Sequence, residues 1–269
     1  MPENRIDQTF AALKQQGKTA FVAYISAGDP DIDRSLEVAH ALVRAGADII
    51  ELGVPFSDPL ADGIVNQMAA QRALEAGTTT AGVLDLIRRF RQADNDTPIV
   101  LFTYLNPIYT YGFEQFHTDA AAAGADGILN LDLPPDEESA NEELRSAVGL
   151  KHIRLIAPTT PDERIPTITG QGQGFIYYVC QEGVTGARTE LASSIDTQVA
   201  KIQAASDVPV VVGFGISTPE QSATVAACSD GVVVGSAIVK VVAANGDSPD
   251  LANHVYDFVK PLVDATKSV

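Results

Sequence analysis

The chain has 269 residues, a formal net charge of −17 and two cysteines. A balance that acidic excludes nucleic acid and anionic membranes as partners, since both demand a cationic surface, and Cys180 with Cys228 makes no disulfide framework. The longest apolar runs, such as Ile99–Phe102 and Gly231–Val234, are far too short to span a bilayer, and the first residues carry no apolar signal segment, so a cytoplasmic protein is expected.

At the start of the chain, Ile6, Phe10 and Leu13 stand at helical spacing and predict an amphipathic helix over Ile6–Gln15. Eight short, β-branched runs follow: Ala20–Ser26, Asp48–Leu52, Ile99–Tyr104, Gly127–Leu131, His152–Ile156, Gly174–Val179, Val208–Phe214 and Gly231–Val234. Most are continuously apolar, as parallel strands buried on both faces must be. Helical periodicity fills the gaps, for example Ser35, Leu36, Ala39, Leu42 and Val43, and Asp250–Ala265 reads as a terminal outer helix. A faint repeat places Asp48, Asp126 and Asp230 each just before a strand. Eight βα units of about 30 residues each, in a chain close to the roughly 250 residues of an eightfold barrel, predict an α/β fold. It is a (β/α)8 TIM barrel with an extra N-terminal helix, positioned to plug the barrel's N-terminal end. No linker or low-complexity tract divides the chain, so residues 1–269 form one domain.

Chemistry in such a barrel sits where strands end and βα loops begin. Glu51 lies in the second strand among Ile49, Ile50 and Leu52, where an unpaired carboxylate is costly. Burial there raises its pKa and suits it to give and take a proton; the alternative is a structural Glu paired to a Lys or Arg on a neighbouring strand. The loop after it holds Asp58, a turn residue before proline, and Asp62, which local sequence leaves as either helix N-cap or catalyst. After the sixth strand, Gly183 and Gly186 suit a loop hinged to close over substrate, or an ordinary flexible loop. Gly213-Phe214-Gly215 ends the seventh strand ahead of a helix with Thr218 as N-cap, Pro219 in its first turn and Gln221 completing a capping box. Gly235-Ser236 ends the eighth strand. Such loops, with a helix N-terminus, hold phosphate through backbone N–H groups, or serve only as tight turns. In a chain this acidic, main-chain donors answer the repulsion a phosphate would meet. His40, His117, His152 and His254 show no metal spacing and read as surface or helix residues, and Cys180 as packing at a strand end.

The fourteen residues from Ile50 to Gly63, IELGVPFSDPLADG, resemble the signature of the tryptophan synthase α family, and the likeness extends from Gly28-Asp29-Pro30 to Gly235-Ser236-Ala237-Ile238-Val239-Lys240. It implies a lyase cleaving indole-3-glycerol phosphate to indole and glyceraldehyde 3-phosphate. Glu51 would be its general acid/base, Asp62 the acceptor of the indole N–H, and Tyr177 a neighbour of the reacting centre. It implies a lid of Gly183–Gly186 in which Thr185 bonds Asp62 and Gly186 touches phosphate. Phe214, Gly215, Gly235 and Ser236 would form the phosphate loops, and Tyr24, Phe102, Tyr104, Leu129 and Leu131 the indole pocket. It also implies a β-subunit partner in an α2β2 complex, met in part by the loop around Asp58. No cofactor or metal is expected in this chain, and pyridoxal phosphate only in that partner. A standalone lyase, an inert regulatory subunit and another phosphate-binding barrel are the competing readings; retention of both carboxylates and Thr185 argues against the second, and the Glu51-to-Asp62 segment against the third.

Three departures stand out. Ile64-Val65-Asn66-Gln67 replaces a proline followed by an apolar residue with Gln, Tyr24 replaces a phenylalanine, and Gln181-Glu182 stands where a basic residue is frequent.

Overall fold

The computed structural model describes residues 4–134, 137, 139–180, 188–213 and 215–269. Its strands are β1 (Ala20–Ser26), β2 (Ile49–Gly53), β3 (Ile99–Thr103), β4 (Gly127–Asn130), β5 (Lys151–Ile156), β6 (Ile176–Val179), β7 (Val210–Gly213) and β8 (Gly231–Val234). They pair in parallel, each with the next, and β8 returns to β1, which closes the barrel in sequence order. The helices are α1 (Arg5–Gln16), α2 (Ile32–Ala45), α3 (Ile64–Glu75), α4 (Thr80–Arg91), α5 (Leu105–Tyr111) and α6 (Phe113–Ala123). They continue as α7 (Ser139–Val148), α8 (Ile165–Gly170), α9 (Arg188–Ala205), α10 (Pro219–Ala226), α11 (Ser236–Asn245) and α12 (Leu251–Lys267).

Four strands, β3, β4, β6 and β7, are shorter than the apolar runs that announced them. Gly174, at φ +73°, and a turn from the Phe175 N–H to the Gln173 carbonyl delay β6 to Ile176. Likewise β3 stops at Thr103 because Tyr104 caps α5.

Alternation along the strands sorts their side chains into two cores. Outward residues such as Ile50, Leu52, Leu101 and Ile128 meet the helices in one large cluster. Inward residues, among them Val22, Ile49, Val100, Leu129, Ile153, Phe175, Val211 and Val233, fill the barrel. Ile6, Phe10 and Leu13 of α1 belong to that inner cluster, so the first helix plugs the N-terminal end. Phe10 meets Phe175 with ring centroids 5.9 Å apart.

The three repeated aspartates share one task at that end of the barrel. Each carboxylate accepts a backbone N–H at the start of the neighbouring strand: Asp48 from Phe21, Asp126 from Ile99 and Asp230 from Val210. Asp126 also pairs with Arg5 at 2.8 Å and Arg91 at 2.9 Å, tying α1 and α4 to β4. His117 is a helix residue, as expected, and His152 alone departs from the surface-or-helix expectation. His117 is buried on α6, and His152 is buried on β5 with Nδ1 at 2.8 Å from Arg145. His40, on α2, stacks on Phe90.

Candidate active site

The same alternation that directs Ile49 into the barrel directs Glu51 there, two residues further towards the C-terminal end. Glu51 is 0% exposed, and neither carboxyl oxygen has a hydrogen-bond partner. Burial pushes its pKa from 4.5 up to about 8, as expected when desolvation penalises the charged form with nothing to offset it. Among the described residues no Lys or Arg pairs with it, which speaks against the structural ion-pair alternative. Its register partner on β1 is Tyr24, and its charge acts on the phenols of both Tyr24 and Tyr177, which burial above all pushes well up.

Those two rings have room because their neighbours lack side chains. A Cβ on Gly53 would stand 2.5 Å from the Tyr24 hydroxyl, and one on Gly213 would stand 2.6 Å from that of Tyr177. Beside Tyr24, the register partner of Glu51, opens a cavity of about 460 Å³, within the range of small-molecule sites. Its walls include Tyr24, Phe102, Tyr177, Gly215, Gly235 and Ser236. Tyr24 and Phe102 meet edge to face at 5.1 Å, which gives one wall an aromatic surface. At the other end the loops after β7 and β8 converge. The first turn of α10 is closed by its own capping box, Thr218 with Gln221. By contrast, α11 begins at Gly235 without a side-chain cap, which leaves its first N–H groups free for an anion.

Asp62 is not a helix cap: Gly63 is the N-cap of α3. The carboxylate instead accepts from the Tyr104 hydroxyl at 2.7 Å and from the Asn66 amide at 3.3 Å. Tyr104 in turn accepts the Ala61 N–H at 3.0 Å. Burial raises the Asp62 pKa, opposed by the hydrogen bonds from Tyr104 and Asn66. Arg72 fixes α3 itself, clamping Asp29 after β1 through two bonds of 2.8 and 2.7 Å.

A family model for the tryptophan synthase alpha chain matches residues 10–267. The tryptophan synthase alpha chain of Caulobacter sp. (strain K31) is 50% identical over 244 residues, 91% of this chain and 89% of that one. This chain belongs to the tryptophan synthase alpha chain family. Among solved structures, tryptophan synthase subunit alpha from Legionella pneumophila str. Paris is 38% identical, with a TM-score of 0.92 over 99% of this chain and 100% of that one. A chain of M. tuberculosis tryptophan synthase in its aminoacrylate- and BRD0059-bound form is 30% identical, with a TM-score of 0.88 and 98% of each chain covered. As a member of that family, the protein is a lyase that cleaves indole-3-glycerol phosphate to indole and glyceraldehyde 3-phosphate.

The structure gathers Tyr24, Phe102, Tyr177, Gly215, Gly235 and Ser236 around one cavity; Glu51 and Asp62 are outside its lining, Glu51 beside Tyr24 in the register and Asp62 between the lining residues Ala61 and Gly63. Three residues expected in the indole pocket are not in the lining of this cavity. Tyr104 is buried against Phe56 and spends its hydroxyl on Asp62. Leu129, level with Phe102 in the register, is fully buried in the inner core, and Leu131 packs against that core; neither is in the cavity lining. Thr185, Gly186 and Phe214, with the rest of 181–187, lie outside the described residues. Sequence reasoning missed Asn66, Cys180 and Lys240, all of which line the cavity. Lys240 was legible in part: it stands four residues after Ser236 on α11, hence on the same helical face. Among the described residues no three His, Cys, Asp or Glu side chains come together as a metal site, and no helix is long and apolar enough to cross a membrane. A second cleft, about 580 Å³, opens beside α1 at the opposite end, far from the strand termini that carry these groups.

Proposed function

We propose that the cleavage runs by proton transfer through Glu51, with Asp62 accepting the indole N–H and main-chain amides at Gly215, Gly235 and Ser236 holding the phosphate. The observation that carries this reading is the unpartnered, fully buried Glu51 carboxyl beside two cavity-lining phenols. With a pKa near 8 it is protonated at neutral pH and has a proton to give. Delivery to indole C3 generates an indolenine-like cation, which the Asp62 carboxylate stabilises at the ring nitrogen. The bond from C3 to the glycerol carbon then breaks, and its electron pair returns to the ring. The adjacent hydroxyl loses its proton to ionised Glu51 as the aldehyde forms, so the acid is restored. Tyr177 borders the reacting centre, and Tyr24 with Phe102 faces the indole. Proton transfer of this kind needs no organic cofactor, and we assign none to this chain.

Glu51→Gln keeps the shape and removes the proton. We expect indole release to fall at least about 10²-fold, the lower end of positioned acid/base catalysis, while equilibrium binding of indole-3-glycerol phosphate persists. Full turnover by that variant would remove Glu51 from the mechanism.

We further infer a β-subunit partner carrying pyridoxal phosphate, in an α2β2 complex. Support comes from apolar side chains left exposed on segments that follow β2 and β3: Leu60 at 93%, Ile64 at 68% and Tyr109 at 69%. Added β subunit should raise the cleavage rate; indifference to it would favour a standalone lyase. The charged phosphate ester does not cross a bilayer unaided, which places the enzyme with its substrate in the cytoplasm. We also take residues 1–269 as one folding unit.

A further inference from the structure

The function read above leaves one departure without a use: Asn66, at a position where the family resemblance expects an apolar side chain. It occupies the third position of α3, and it lines the cavity. In a helix capped by Ser or Thr, a side chain here reaches back to the N-cap N–H; α3 is capped by Gly63 and offers no such exchange. The Asn66 amide instead turns back one full turn, and its Nδ2 donates to Asp62 Oδ1 at 3.3 Å. The following residue does the parallel job on the main chain, where Gln67 Nε2 donates to the Asp62 carbonyl at 2.8 Å. Across the loop, the Tyr104 hydroxyl holds the other carboxylate oxygen at 2.7 Å. Each oxygen of Asp62 therefore has one side-chain donor, and each keeps a lone pair for a ligand.

Among the described residues only Asp62 sets the direction of the amide. Asn66 Oδ1 is buried with no hydrogen-bond partner, and the reversed orientation would set two oxygens face to face. The bond is long, at the weak end of the N–H···O range, so its effect lies in orientation and local polarity. Among the described residues, the titratable groups that face Asp62 are the phenols of Tyr104 beyond β3, Tyr24 of β1 and Tyr177 of β6, and Lys240 of α11 lines the same cavity as Asn66. No cation is among its described partners. A neutral amide is thus the donor that complements Tyr104 in keeping this carboxylate ionised and aligned.

We infer that Asn66 is a positioning residue for the cleavage reaction: its amide, acting with Tyr104, fixes the Asp62 carboxylate in the direction from which an indole N–H is accepted. This rests on the reading of Asp62 given above. The test is the full chain with Asn66→Ile, the apolar alternative, together with Asn66→Gln and Asp62→Asn, assayed for indole release from indole-3-glycerol phosphate across pH 5–9. For Asn66→Ile we expect kcat to fall about 3- to 10-fold, the scale of one modest hydrogen bond, with KM moving less. We also expect the acidic limb of the pH–rate profile to move up by about half a pH unit, because a donor to the charged form is gone. Asn66→Gln, which keeps an amide on a longer arm, should recover most of that shift. An unmoved acidic limb in Asn66→Ile, whatever happens to kcat, overturns the proposal, since loss of packing alone does not change the ionisation of Asp62. So does a variant in which only KM changes. Full activity in Asp62→Asn would instead sink the underlying reading of the site. If Asn66→Ile proves unstable, Asn66→Ala is judged by the same limb and the same rescue.

Discussion

Glu51 is kept neutral by its surroundings, and this links its chemistry to the stability of the fold. Its folded pKa, about 8, lies above the 4.5 of an unburied glutamate. Below pH 4.5 both folded and unfolded forms are protonated and nothing is lost. As pH rises from about 4.5 towards 8, the unfolded chain releases the proton while the folded chain holds it, so stability falls, with a limiting slope of about 1.4 kcal/mol per pH unit. Above about 8 the penalty is complete and constant. Urea unfolding of the wild type and Glu51→Gln at intervals from pH 5 to 8 should show the wild type losing stability relative to the variant throughout that window. Parallel curves would mean that the carboxyl is solvated or paired in solution. The same residue was legible in the sequence as a carboxylate among β-branched neighbours. Its lack of any partner was not, because that depends on side chains from strands far away in the chain.

At the scale of elements, the barrel separates stability from chemistry by placing them at opposite ends. At the N-terminal end α1 seals the interior with Ile6, Phe10 and Leu13, and the three aspartates pin adjacent strand starts. At the C-terminal end the strands terminate in Tyr24, Glu51, Phe102, Tyr177 and the two glycine loops. Phe10→Ala should therefore cost about 3–5 kcal/mol as a buried aromatic truncation, read as a lower urea midpoint, while kcat and KM for cleavage stay at wild-type values. A loss of activity without loss of stability would show that the plug governs the site directly. The helical period of this segment announced the helix, but its burial in the barrel mouth required the ring of inward residues that receives it.

For the molecule as a whole, a net charge of −17 repels a phosphate ester at long range. Backbone dipoles at α11 act only at contact, so the charge on Lys240, which lines the cavity and is exposed, is the local counterweight. Lys240→Gln should raise KM about two- to fivefold at low salt and less at 0.15 M, where the Debye length is about 8 Å, with kcat unchanged. A KM that ignores both salt and residue 240 would mean that the amides alone govern phosphate affinity.

Local chemistry determined the eight apolar runs, the plugging helix, the capping box at Thr218 and the two carboxylates, because each is written in neighbouring residues through propensity, period and spacing. Tertiary structure alone decided which face of each doubly buried strand turns inward, that the Tyr104 hydroxyl meets Asp62, and that Gly53 and Gly213 leave room for two phenols. A strand apolar on both sides carries no mark of its inner face. Hydrogen-bond partners separated by 42 residues, as Asp62 and Tyr104 are, become neighbours only when the barrel closes.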